Sequence, residues 1–230
     1  MTASQIERAI VQAGRAGRTA EALDLYHQLS HPTIRQVNAA IDACARARPV
    51  RLDKAFALLE TTPVPPNVYT FGSLMNACAR AVAVTESVQL LDTMQSTYGV
   101  VPNTVVYHAA VSAAANVPDV NVAWQLLQQA RSRHGLALST VGYNAALAAA
   151  ARAGDIAKAE ALMETMEAQT DPLVPRPDAV TYGTLLSAYE KVEDWNALLL
   201  AAQRMQSAGH ALDGLAITSL LHACQHLGLA

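Results

Sequence analysis

Apolar residues return along this chain in one fixed figure. An aromatic or aliphatic anchor is followed by apolar residues three, four and seven places on, the buried stripe of a 3.6-period helix. Phe71 leads Leu74, Met75 and Cys78, Tyr143 leads Ala146, Leu147 and Ala150, and Tyr182 leads Leu185, Leu186 and Tyr189. Ile217 leads Leu220, Leu221 and Cys224, and with Val37 and Tyr107 the anchors recur at intervals of 34 to 39 residues. A second set follows sixteen, nineteen and twenty-three places behind the anchor. It reads Ser87, Leu90, Met94 after Phe71, then Ala123, Leu126, Ala130 after Tyr107. It recurs as Ala159, Leu162, Met166 after Tyr143 and as Leu198, Ala201, Met205 after Tyr182.

Each unit therefore predicts two helices, divided by turn signals such as Ala153–Asp155 and Val117–Asp119. Ile6 with Ala22, Leu25 and Leu29 adds a unit upstream, giving six hairpins and a seventh first helix. One such hairpin cannot bury its own apolar face, so a period of this length implies a stack. The expected fold is all-α, a right-handed solenoid superhelix of stacked helix-turn-helix repeats forming a single domain over residues 1–230. Its repeats fall at about 3–33, 34–67, 68–103, 104–139, 140–178 and 179–213, with a partial 214–230. The segment 169–176 should bulge from the stack, because its repeat is longer and holds Pro172 and Pro175.

Composition narrows the class without changing this picture. Hydrophobic residues make up 52%, charged residues 15% and aromatics 5%, so alanine and leucine fill the core. No apolar run approaches the roughly 18 residues of a membrane span, and no membrane insertion is expected. Met1 to Ala22 carry Glu7 and Glu21 and already follow the repeat, so they do not read as a signal or transit peptide. Cys44, Cys78 and Cys224 occupy one equivalent position. Equivalent sites in packed helices lie roughly 8–10 Å apart, beyond the about 7 Å that a disulfide spans. Reduced core thiols are expected. His222 and His226 share a helix face, but Cys224 points away and no third ligand is apparent, so no metal is expected.

The turn into each first helix carries a family signal. It reads Pro66-Asn67-Val68-Tyr69-Thr70-Phe71-Gly72, Pro102-Asn103-Thr104-Val105-Val106-Tyr107-His108 and Pro177-Asp178-Ala179-Val180-Thr181-Tyr182-Gly183. With Tyr143-Asn144-Ala145-Ala146-Leu147 and Arg152-Ala153-Gly154-Asp155, this resembles the pentatricopeptide repeat from about Ser4 to Ala230. The related tetratricopeptide repeat has a similar hairpin, but its Trp-Leu-Gly-Tyr pattern is absent.

The resemblance implies binding of single-stranded RNA, one base per repeat. In the family, the residue after the anchor and the last residue of the unit read the base edge. Here those pairs are Asn38 with Asn67, Gly72 with Asn103, His108 with Ser139, Asn144 with Asp178 and Gly183 with Asp213, with Thr218 alone. By resemblance, Asn38/Asn67 and Asn144/Asp178 favour pyrimidines, the second favouring uracil. Gly72 and Gly183 have no side chain with which to read. The family's base-sandwiching position holds Arg35, Tyr69, Val105, Val141, Val180 and Leu215, which could stack bases without choosing among them. Helix capping explains Asn67, Asn103 and Asp178 about as well as base reading does.

Charge cuts both ways. The net charge is −3, whereas RNA binders usually carry a basic footprint. Yet a cation stands nine places after most anchors, at Arg15, Arg46, Arg80, Arg152 and Lys191, interrupted by Asn116 and His226. The family places this position toward the groove, within reach of phosphates; a cation at a helix C-terminus is the competing explanation.

No enzyme activity, cofactor or small-molecule substrate is expected. Some members carry a deaminase with His-x-Glu and Pro-Cys-x-x-Cys, and neither sequence occurs here. Two functions stay open. One is an adaptor for single-stranded RNA in a mitochondrion or chloroplast, ribosomal RNA included. The other is a protein–protein scaffold in an assembly such as an organellar ribosome or another ribonucleoprotein.

Overall fold

The structure, a computed structural model, describes residues 3–117 and 120–229. Among the described residues there are thirteen helices and no strand. Contacts divide the chain into two units, Met1–Ala113 and Ala114–Ala230. The first unit runs α1 (Ala3–Arg15), α2 (Thr19–His27), α3 (Ile34–Arg46), α4 (Leu52–Thr61), α5 (Val68–Ala81), α6 (Val84–Ser96) and α7 (Thr104–Ala114). The second runs α8 (Val120–His134), α9 (Thr140–Ala153), α10 (Ile156–Ala168), α11 (Ala179–Lys191), α12 (Trp195–Ser207) and α13 (Gly214–Leu227).

Each unit is a run of solenoid-type helical hairpins. In the first unit α1, α3 and α5 lie side by side, and α2, α4 and α6 back them. In the second unit α9, α11 and α13 form the row, with α10 and α12 behind. The anchors Val37, Phe71, Tyr107, Tyr143 and Tyr182 are all buried, as the stripe predicts. Ser87, Leu90, Met94, Ala159, Leu162 and Met166 are buried on the second helices, completing the seam inside each hairpin.

Small residues set the helix spacing. A Cβ on Gly14 would stand 2.8 Å from the Ala43 Cβ, so α1 and α3 touch through a glycine. The predicted turn at Ala153–Asp155 is closed by Gly154 at φ 71°, a left-handed position that glycine takes without a Cβ clash. The Asp155 carboxylate then caps α10 by accepting from the Lys158 N–H at 3.1 Å. Pro118 and Asp119 of the other turn signal lie outside the described residues. No helix runs through the expected bulge at 169–176.

One expectation needs correction. Ile217 is 46% exposed and Leu221 59% exposed, so the stripe predicted on α13 is not buried. The buried face of α13 is Ala216, Ser219 and Ala223 instead. Among the described residues α13 packs on α11 and α12 alone, and those two helices cover the small-residue face. Cys224 is accordingly half-buried, whereas Cys44 and Cys78 are buried, and all three are free thiols. No helix is long and apolar enough to cross a membrane.

Candidate nucleic-acid interface

Two reader pairs are assembled alike, one in each unit. In unit 2, Asn144 on α9 donates from Nδ2 to Asp178 Oδ1 at 3.1 Å. Thr181 Oγ1 donates to Asn144 Oδ1 at 2.7 Å, and Asp178 Oδ1 caps α11 by accepting from the Thr181 N–H at 2.9 Å. In unit 1, Asn38 Nδ2 lies 3.4 Å from Asn67 Oδ1, and Thr70 Oγ1 donates to Asn38 Oδ1 at 2.7 Å. Asn67 Oδ1 caps α5 through the Tyr69 and Thr70 N–H groups at 3.0 and 3.1 Å.

In both pairs a side-chain oxygen of Asn67 or Asp178 caps the following helix and meets the asparagine of the repeat before it. Asn103 and Asp213 cap likewise, accepting from Val106 N–H at 3.1 Å and Ala216 N–H at 2.8 Å. Burial pushes the Asp178 carboxyl up, but the Thr181 N–H and the Asn144, Thr181 and Thr140 side chains outweigh it and hold the group below its ordinary value. Asp178 is thus a carboxylate at neutral pH.

Thr70 and Thr181 complete these two pairs, and the pattern of apolar positions did not single them out. Both are fully buried and fix which way the reader amide faces. The signal lay in register: a threonine precedes the anchor of Phe71 and Tyr182, whose preceding repeats read with Asn38 and Asn144. Where the preceding reader is Gly72, Gly183 or His108, that place holds Val106, Ala216 or Gly142. The hydroxyl occurs where an amide oxygen needs a donor.

The sandwich positions stand out on the surface. Tyr69, Val105, Val141, Val180 and Leu215 are between 63% and 78% exposed, whereas Phe71, Tyr107, Tyr143 and Tyr182, each two places after one of the first four, are buried. Arg35 is exposed as well. Tyr69 and Val105 line a cavity of about 370 Å³ with Gly72 and Asn103, and Val180 and Leu215 line one of about 320 Å³ with Gly183 and Asp213. His108 lies in unit 1 and Ser139 in unit 2; burial holds the His108 imidazole below its ordinary value, so it is neutral at pH 7. Thr218 is exposed and donates to the Gly214 carbonyl at 2.8 Å.

The cation series divides into two arrangements. In unit 1, Arg15, Arg46 and Arg80 line one cleft of about 420 Å³, joined by Arg48. Arg46 pairs with Asp42 at 2.7 Å, while Arg15, Arg48 and Arg80 make no hydrogen bond or ion pair among the described residues. In unit 2, Arg152 donates from Nη2 to the Ala115 carbonyl, and Lys191 Nζ donates to the Arg152 carbonyl at 2.6 Å. There each cation satisfies a backbone carbonyl of unit 2.

A polar cluster on α11 and α13 does not form a nucleophile–base pair. Ser219 Oγ donates to Glu190 Oε2 at 2.5 Å and His222 Nδ1 faces Glu190 Oε1 at 2.9 Å. A carboxylate thus separates the hydroxyl from the imidazole, unlike the order of a catalytic triad. His226 stacks on Trp195 with ring centroids 4.5 Å apart.

A pentatricopeptide repeat model matches residues 69–96 and a pentatricopeptide repeat domain model matches residues 125–189. The chain carries pentatricopeptide repeats. A pentatricopeptide repeat-containing protein of Arabidopsis thaliana is 42% identical over 55 residues, which is 22% of this chain and 8% of that protein. The pentatricopeptide repeat protein PPR10 from maize superposes with a TM-score of 0.72 at 25% identity, over 95% of this chain and 31% of that one. The pentatricopeptide repeat domain of Arabidopsis thaliana protein-only RNase P 1, solved in complex with tRNA, gives a TM-score of 0.64 at 17% identity, over 80% of this chain and 95% of that one. This chain thus spans under a tenth of the Arabidopsis relative and under a third of the maize protein.

Proposed function

We propose that this pentatricopeptide repeat chain is a non-catalytic adaptor for single-stranded RNA in a mitochondrion or chloroplast, holding RNA for processing, stabilisation, translation or ribosome structure. The observation that carries the reading is the Asn144–Asp178–Thr181 constellation, repeated as Asn38–Asn67–Thr70. Thr181 holds the Asn144 amide oxygen, so that the amide N–H group lies beside the Asp178 carboxylate. A donor beside an acceptor matches the carbonyl and N3–H of uracil, whereas cytosine presents an acceptor in place of a proton at N3. The exposed apolar residues at the sandwich positions supply faces on which bases stack. Arg15, Arg48 and Arg80 supply uncompensated positive charge for phosphates.

The matches to pentatricopeptide repeat models and the likeness to the maize pentatricopeptide repeat protein PPR10 support RNA as the partner. Fluorescence anisotropy with labelled 20-nucleotide single-stranded RNAs tests the reading. Salt-dependent binding with a preference for uracil-containing strands is expected. Absence of binding at low ionic strength, where phosphate attraction is strongest, would remove it. A scaffold for protein partners would then stand in its place, favoured by the exposed Ile217 and Leu221 on α13.

A further inference from the structure

Four arginines converge on one cleft of unit 1. It measures about 420 Å³ and is lined by Arg15, Arg46, Arg48 and Arg80, with the small residues Gly14, Ala16 and Gly17 between them. All four arginines are exposed. No acidic residue lines the cleft. Asp42 pairs with Arg46 at 2.7 Å, while Arg15, Arg48 and Arg80 have no partner among the described residues. A chain of net charge −3 thus gathers three uncompensated positive charges at one place.

Repetition explains only part of this cluster. Arg15, Arg46 and Arg80 share one repeat position, in the last turns of α1, α3 and α5. Arg48 stands outside it, eleven places after Val37, where the other repeats hold Gly17, Val82, Pro118, Gly154, Glu193 and Gly228. Nor does the repeat position by itself leave a cation open, since Arg152 and Lys191 in unit 2 donate to backbone carbonyls. The cleft is set apart by an added arginine and by guanidinium groups that nothing in the fold engages.

We propose that this cleft binds a phosphate group of two or more negative charges, the terminal phosphate of an RNA strand rather than a phosphate within it. A phosphodiester inside a strand carries one charge, and a single guanidinium fork matches its two free oxygens. Three open forks around one cavity suit a monoester, which carries about −1.5 to −2 charges at neutral pH and three acceptor oxygens. A free nucleotide presents the same chemical group. The strand end is the source assigned here, because α3 and α5 also carry the proposed readers Asn38 and Gly72. That choice of source rests on the RNA reading above, whereas the site itself rests on the cleft. An RNA seated this way is held by its end as well as by its bases, so a strand already cut at that point is preferred over a continuous one.

Fluorescence anisotropy tests this on the whole chain, with one internally labelled single-stranded RNA bearing a 5′-phosphate, a 3′-phosphate or hydroxyls at both ends. One of the two phosphorylated strands is expected to bind about tenfold more tightly than the hydroxyl-ended strand, the scale of added charge-assisted hydrogen bonds. Arg48→Gln should abolish that gain and leave the hydroxyl-ended strand within about twofold of wild type, since Arg15 and Arg80 keep their charge. Arg48 is exposed and has no partner among the described residues, so this variant removes no contact of the fold. Arg48→Lys, which keeps the charge without the fork, should retain part of the gain. Equal affinity for all three strands, or a gain unchanged in Arg48→Gln, would overturn the inference while leaving RNA binding intact. Calorimetry with adenosine 5′-triphosphate separates the two sources. Nucleotide binding that depends on Arg48, with no gain for either phosphorylated strand, would support the phosphate site and overturn the strand end as its source. Binding of neither RNA nor nucleotide would overturn the site and the RNA reading together.

Discussion

The Thr181 hydroxyl on α11 donates to the Asn144 amide oxygen on α9 at 2.7 Å, so the first turn of one repeat orients the reader of the repeat before it. Thr181 is fully buried, and the same link joins Thr70 to Asn38. Thr181→Val keeps the shape but leaves the Asn144 oxygen without its donor, at a cost of about 1–3 kcal/mol. A lower melting midpoint together with weaker discrimination of uracil from cytosine is expected. Unchanged discrimination in competition binding would show that the amide is oriented by other means.

Cations at one repeat position should behave in two ways. Arg80→Gln should weaken RNA binding across sequences and flatten the dependence of log affinity on log salt by roughly one contact. Arg152→Gln should leave that slope alone and lower stability by about 0.3–1 kcal/mol, since its guanidinium caps the Ala115 carbonyl. Titrations at several salt concentrations and chemical denaturation separate the two.

Glycines offer a contrast within one unit. Gly14→Ala drives a methyl into Ala43, where the added Cβ would come within 2.8 Å, and should cost about 1–3 kcal/mol. Gly72→Ala lies on α5 with open space around it and should raise stability by about 1 kcal/mol through helix propensity. Thermal melts of the two variants should shift in opposite directions.

Alkaline pH should loosen unit 2. Burial, together with the hydrogen bond to Glu167, pushes the Tyr182 phenol up to about 12, and burial with a bond to Glu160 raises Tyr189 further. Both phenols are held protonated by the fold. Their contribution is complete below the unfolded value of about 10 and is lost as pH climbs through the folded values. Helical circular dichroism should therefore decline above pH 10, and Tyr182→Phe should move the decline to higher pH.

Thiol reactivity reports on the corrected end of the stripe. Burial pushes Cys44 up to about 11 and Cys78 up to about 12, and both are enclosed. Cys224 is half-buried on α13. Iodoacetamide at pH 8 should label Cys224 first, with mass spectrometry of the digested chain giving the order.

The hairpins were legible because burial imposes a period: Val37, Phe71, Tyr107, Tyr143 and Tyr182 each occupy a place where only an apolar side chain closes the seam. Ile217 broke the rule, because periodicity records which face is apolar and not whether a neighbour covers it. The pairing of Asn144 with Asp178 was singled out through the family resemblance, and the two side chains do meet. The threonine brace was not. It joins residues 37 positions apart, and its evidence in the chain is a single residue type before an anchor. Nor could one-letter spacing separate Arg80 from Arg152, which share a register and differ in what faces them.

The double duty of the last residue in each repeat ties address to architecture. Asn67, Asn103, Asp178 and Asp213 each hold the start of the following helix with a side-chain oxygen, and each stands where the proposed function places a base reader. Ser139 belongs to the same class of short polar side chains that begin helices well. A change of base preference at these places must therefore be drawn from a vocabulary of about four letters, Asn, Asp, Ser and Thr. Any other substitution would unfasten the next repeat while it rewrites the message.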